Sequence, residues 1–255
     1  MFRQALALLP DSADVLLNLA LVHLDEERLT ECESMLHRVL ALRADFPMAK
    51  HVLGCVLRAQ DRVDEARQAF TEAVALQPDL ADAYVDLADT LRVQMRLPEA
   101  ETACRRAIDL RPDVIRAHLV MGDVLFAGGR LTEAEASFNR ALALRSVSAE
   151  AHCGLGNVAQ RRFDLQGAEA EFRAALALRP VFFEASRGLG LTLLDLRRPM
   201  EAESALRQAL SIKPGDPLTR DALNAVLLLP KNPQQLLRAQ ASADTLVSKR
   251  GPSAR

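Results

Sequence analysis

Residues 81–114 read ADAYVDLADTLRVQMRLPEAETACRRAIDLRPDV. Within this stretch apolar side chains recur at three- and four-residue steps, first as Leu87 and Leu91, then as Ala100, Ala103, Cys104, Ala107 and Ile108. That spacing draws a stripe along one side of an α-helix, twice in succession. Pro112 followed by Asp113 stops the second helix and opens the next element, as Pro78-Asp79 does one stretch earlier. No run exceeds helix length or alternates with strand period, so the stretch predicts a pair of antiparallel helices.

The same pattern returns every 34 residues. Cys32, Ala66, Ala100, Ala134, Ala168 and Ala202 form one column, and Leu19, Leu53, Leu87, Met121, Leu155, Leu189 and Leu223 form another. A small residue follows six of these, as Ala20, Gly54, Ala88, Gly122, Gly156 and Gly190. A bulky column runs Leu36, Phe70, Cys104, Phe138, Phe172 and Leu206, and a second small one runs Val39, Ala73, Ala107, Ala141, Ala175 and Ala209. Small residues at this period belong where neighbouring helices approach closely, because a larger side chain would force the axes apart. A period in this range means a stack of helix pairs, each burying its apolar face on the next.

In these columns the chain resembles the tetratricopeptide repeat family, whose period and signature residues they match. Tyr84, Leu87, Ala88, Leu91, Ala100, Cys104, Ala107 and Pro112 occupy the signature places within residues 81–114. The fourth place departs from the family's aromatic, being Leu16, Lys50, Tyr84, His118, His152 and Ser186 in turn. The resemblance implies an all-α, right-handed superhelical solenoid of antiparallel helix pairs. Six units follow, at 13–46, 47–80, 81–114, 115–148, 149–182 and 183–216. Residues 1–12 carry only a second helix, so the chain starts half-way through a unit. Residues 217–250 read as a degenerate seventh unit or capping helices, and 251–255 as a frayed tail. Terminal repeats are expected to be atypical because one face meets water.

Composition excludes several classes of protein. The chain is 49% apolar and 26% charged, with a formal net charge of −2, and no apolar run approaches the roughly 20 residues that span a bilayer. The amino terminus lacks a basic segment followed by an apolar core, which points to a cytoplasmic protein. Arginine greatly outnumbers lysine, a bias common in bacterial genomes rich in GC. Residues 1–80 hold 8 basic and 13 acidic side chains while 217–255 hold 6 and 2, a polarity that steers partners or favours head-to-tail contacts between chains. The apolar run at Leu227–Leu229 also fits self-association through an end face. A nucleic-acid surface needs a dense basic stripe with interleaved aromatics, and none is present.

The chain reads as non-enzymatic, without cofactor or metal. Cys32, Cys55, Cys104 and Cys153 lie far apart and offer no zinc or redox spacing, and His23, His37, His51, His118 and His152 offer no His-x-x-x-His step. Gly128-Gly129 marks the turn between two helices rather than a phosphate loop. His118 and His152 occupy equivalent places in adjacent units, in a column that normally packs.

Function is then expected on the surface that stacking creates. The family resemblance implies that first helices line a concave groove in which peptides bind. The groove places are Asn18, then His51, Cys55 and Arg58, then Asp82, Asp86, Asp89 and Arg92, then Asp123 and Phe126, then Asn157, Gln160 and Arg161, then Arg187. Asp86, Asp89 and Asp123 make an acidic centre suited to a protein or peptide segment carrying lysine or arginine; alternatively Asp86, Asp89 and Arg92 pair among themselves. Family members that clamp a terminal carboxylate use groove lysines, which are missing here apart from Lys50 in the packing column. An asparagine ladder, as in members tied to sugar transfer, is not built by Asn18 and Asn157 alone. The expected role is a scaffold or adaptor binding an extended protein segment. The alternative is the substrate-recruiting or assembly arm of a larger enzyme, such as a glycosyltransferase or sulfotransferase, for which the half unit at Met1 is the discriminating feature.

Overall fold

The computed structural model describes residues 12–228. Among these every regular element is an α-helix, and no strand is present. First helices are α1 (Ala13–Asp25), α3 (Pro47–Ala59), α5 (Ala81–Val93), α7 (Ile115–Ala127), α9 (Ala149–Arg161), α11 (Phe183–Asp195) and α13 (Pro217–Leu228). Second helices are α2 (Leu29–Leu42), α4 (Val63–Leu76), α6 (Leu97–Leu110), α8 (Leu131–Leu144), α10 (Leu165–Leu178) and α12 (Pro199–Ile212). Both series restart every 34 residues, which is the period of the sequence columns. The fold is an all-α helical-repeat solenoid. The half repeat expected before Ser12, residues 229–250 of the seventh unit, and 251–255 lie outside the described residues, as does Leu229 of the apolar run.

Three residues join each first helix to its second, and four join each second helix to the next first one. The three-residue link has the same geometry each time. Its last N–H donates to the carbonyl five residues back, as Arg62 to Leu57 and Arg96 to Leu91, both at 2.9 Å. Its middle residue is left-handed, at Glu27, Asp61, Met95, Gly129, Phe163 and Arg197. This is the Schellman ending, which glycine normally occupies because a Cβ is strained there. Only Gly129 meets that preference. Pro78, Pro112, Pro180 and Pro214 fall in the four-residue links, where no helix hydrogen bond is lost.

The chain divides into two compact units at Ser146/Val147. In the first, α1 to α8 pack as consecutive pairs around a core that at its start comprises Leu16, Ala20, Cys32, Leu36, Val39, Ala49 and Val56. The small and bulky columns meet in each pair. A Cβ added at Gly54 would lie 2.5 Å from the Phe70 ring, and one at Gly122 would lie 2.5 Å from Phe138. In this unit the small column holds glycine where the bulky column holds Phe70 or Phe138, and alanine where it holds Leu36 or Cys104. In the second unit, α9 to α13 pack in the same order, with Gly156 and Gly188 both against Phe172, Gly190 against Leu206 instead of a phenylalanine, and a core of Ala168, Phe172, Ala185, Leu189, Leu193 and Leu206.

Candidate partner-binding groove

In the first unit the first helix α5 packs directly on both α3 and α7, and each of the three packs on its own second helix. These three helices carry most of the expected groove residues. Asp86, in the second turn of α5, has partners on both α3 and α7 and is only 2% exposed. Its Oδ2 lies 2.8 Å from His51 Nε2 on α3. Its Oδ1 lies 3.1 Å from Arg58 Nη1, also on α3, and bonds Arg116 at the start of α7. Burial alone would raise the carboxyl, but the His51 and Arg116 hydrogen bonds, with the charges of Arg116 and Arg58, hold it well below the usual carboxylate range. Conversely, burial would lower the His51 imidazole, yet its bonds to Asp86 and Cys55 push it up to about 9.

Asp89, one turn on, is also taken. Arg92 Nη2 binds its Oδ1 at 2.7 Å and Arg58 Nη1 approaches its Oδ2 at 3.3 Å. Asp82 turns to Arg111 at 2.5 Å. Pairing across a helix turn, weighed above as the alternative for Asp86, Asp89 and Arg92, is found for Asp89 with Arg92. Asp86 instead pairs with the helices on either side.

Asp123 on α7 differs from its two neighbours. Among the described residues no hydrogen bond or ion pair reaches its carboxylate. Burial raises its pKa to about 6; Asp89 adds to that rise, and Arg92 opposes it from too far to form a pair. The buried Cys104 thiol on α6, pushed up to about 12 chiefly by burial, also feels the charges of Asp89 and Asp123. Asn18 on α1 is exposed and stands apart from this network, and Phe126 follows Asp123 along α7, partly buried. In the second unit, Asn157 and Gln160 on α9 are partly buried, Arg161 is exposed, and Arg187 on α11 lies over the Phe183 ring at 5.4 Å.

The sequence reading missed Arg116. Its signal was present but weak: a cation at the second place of the unit after the one holding Asp86. It also passed over the step His51-x-x-x-Cys55, which puts both side chains on one face of α3, with Cys55 Sγ 3.8 Å from His51 Nε2 and 3.9 Å from Asp86 Oδ2. In the fourth-place column, Lys50 pairs with Glu72 at 2.5 Å, His118 meets the Pro112 carbonyl at 2.9 Å and His152 meets Glu171 at 2.7 Å. These positions have exchanged aromatic packing for local polar bonds. On the other side of the first unit, between α4 and α6, Arg67, Tyr84, Leu87, Leu91 and Arg106 line a cleft of about 730 Å³.

Paired helices with this period and these contacts define a helical-repeat protein built to present surface. A tetratricopeptide repeat model matches residues 51–115 and 153–217, and a second TPR repeat model matches 122–161. Together they cover more than half of the sequence, and the chain belongs to the tetratricopeptide repeat family. No curated protein matches it in sequence. Among solved structures it is similar to a chain of the APC/C hetero-tetramer Cut9–Hcn1, with TM-score 0.81, 18% identity, and coverage of 89% of this chain and 45% of that one. It thus spans under half the length of that relative. It is also similar to PilW, a widely conserved type IV pilus biogenesis factor, with TM-score 0.73, 18% identity and coverage of 84% and 98%. A thermophilic TPR protein from Thermus thermophilus, TTC0263, gives TM-score 0.65, 24% identity and coverage of 72% and 100%. At such identities these likenesses show the fold. Family and fold together make the chain a protein-interaction scaffold in general terms. No helix among the described residues is long and apolar enough to cross a membrane.

Proposed function

We propose that the chain is a non-catalytic scaffold whose first-helix face in residues 47–127 binds an extended, cationic segment of a partner protein, with Asp123 as the receiving carboxylate. The observation that carries this reading is the contrast among three aspartates. Asp86 and Asp89 already hold arginines of their own chain, whereas Asp123 is partly buried with none in bonding range. An incoming lysine or arginine supplies the missing counter-charge, and a charge-assisted hydrogen bond there replaces a desolvation penalty. Asp89 and Arg92 flank the position and set its polarity, Arg92 repelling a second cation on that side. His51, Arg58, Asp82 and Phe126 are the further positions of this face.

Binding of this kind is proton-linked, because only the ionised carboxylate receives the cation. With Asp123 at about 6, affinity rises as pH increases from 5 to 7, by about tenfold. Calorimetric titration of lysine- and arginine-containing peptides against the wild-type chain, Asp123→Asn and the double variant Asp89→Ala/Asp123→Ala tests it. Wild type should bind more tightly at the higher pH, and Asp123→Asn should bind weakly at both. Equal affinities for wild type and the double variant would overturn the acidic-groove reading.

A further inference from the structure

We propose that His51, Cys55 and Asp86 form a binding site for a borderline-soft divalent metal ion of the zinc class, held on the groove side of α3 and α5. The three potential ligand atoms, Nε2, Sγ and Oδ2, all lie within 4.8 Å of one another. Their separations are 2.8 Å between His51 and Asp86, 3.8 Å between Cys55 and His51, and 3.9 Å between Cys55 and Asp86. Zinc bonds of about 2.0 Å to nitrogen and oxygen and about 2.3 Å to sulfur place tetrahedral ligands about 3.3 Å apart for the nitrogen–oxygen edge and about 3.5 Å for each edge to sulfur. The two edges to sulfur therefore close by about 0.3 to 0.4 Å on binding. The third opens by about 0.5 Å, within the reach of a side-chain rotation.

The backbone prepares the site. His51 and Cys55 are one helical turn apart on α3, so a single helix supplies two ligands at fixed spacing. The Asp86 carboxylate is oriented by its other oxygen, which is held by Arg58 and Arg116 while Oδ2 faces the histidine and the thiol. Ligating carboxylates are commonly held in this way by outer hydrogen bonds. The Arg58 and Arg116 guanidiniums share the Asp86 charge with the ion, so the Cys55 thiolate is the ion's undivided counter-charge. Coordination releases the Cys55 thiol proton and the proton that His51 shares with Asp86 to solvent. His51 and Cys55 are each partly exposed, so an ion has a path in and a fourth position remains open toward the groove. A mixed nitrogen, sulfur and oxygen set with three protein ligands suits zinc or cobalt, and not magnesium or calcium, which take oxygen ligands.

The site is independent of the peptide specificity proposed for Asp123, and its test uses the metal alone. The reduced full chain is titrated with Co²⁺, following thiolate-to-cobalt absorption in the near ultraviolet, and then back-titrated with Zn²⁺. The expected result is a band that saturates at one ion per chain, is displaced by Zn²⁺, and is lost in Cys55→Ser with affinity at least about tenfold weaker. No band in the wild type, or an unchanged band in Cys55→Ser, overturns the proposal. A second measurement needs no variant: the rate of Cys55 alkylation by iodoacetamide, read by peptide mass spectrometry with and without Zn²⁺. A clear slowing of alkylation is expected because the metal-bound thiolate is occupied, and an unchanged rate overturns the assignment.

Discussion

Asp86, Asp89 and Asp123 are the same residue on the same kind of helix, yet their charges are worth very different amounts. Asp123 has its pKa raised to about 6 from an ordinary 3.8, so the folded state takes up a proton that the unfolded chain gives up. Its contribution to stability is therefore full below about pH 4 and is lost as pH rises through about 6. Asp123→Asn should raise stability at pH 7 by about 1 to 2 kcal/mol, discounted for partial exposure, and change it little at pH 4. Chemical denaturation at the two pH values checks this, and an equal difference at both would contradict it. A substitution that stabilises the fold while weakening peptide binding would mark Asp123 as kept for function. The sequence placed all three aspartates on the first helices but could not rank them, because the ranking depends on Arg116, which is 30 residues away from Asp86 in the chain and adjacent to it in space. Phe163 raises a different question. It is left-handed, with φ of 62°, and 86% exposed, so Phe163→Gly relieves backbone strain with little lost burial. A gain of about 1 kcal/mol in thermal or urea unfolding is expected.

At the level of the helix pair, the decisive contact is between the small residue of the first helix and the bulky residue of the second. Gly122 costs its helix about 1 kcal/mol relative to alanine. It is nevertheless required, because an alanine methyl would press on the Phe138 ring, which is only 2% exposed and has nowhere to move. Gly122→Ala should therefore destabilise by about 1 to 2 kcal/mol, and Phe138→Leu introduced with it should recover part of that loss. A double-mutant cycle by urea denaturation measures the coupling, and additive effects would refute it. This level was the most legible in the sequence. Columns such as Ala66, Ala100 and Ala134 repeat without slippage because each side chain touches only its own pair and the next. Local, periodic packing leaves a periodic record. The left-handed turns left almost none, since Glu27, Asp61, Met95, Phe163 and Arg197 share no side-chain type that announces the conformation.

Across the first unit, Asp86 joins three successive first helices through His51, Arg58 and Arg116. Breaking a buried pair from one side strands the other charges, and Asp86→Ala should cost about 2 to 3 kcal/mol, less than for a fully enclosed pair because both arginines are partly solvated. Hydrogen exchange should then lose protection first in α3, α5 and α7; loss beginning instead in α2 or α8 would contradict this. None of it was visible as a repeat, because these bonds occur once among the described residues. A single carboxylate bridging three stacked elements also has a mechanical meaning. Pulling the first unit along its stacking direction lengthens the Asp86 bonds to both sides together, so they act as springs in series that share one anchor. Their stiffness is electrostatic in origin, and added salt should soften the unit before it unfolds it.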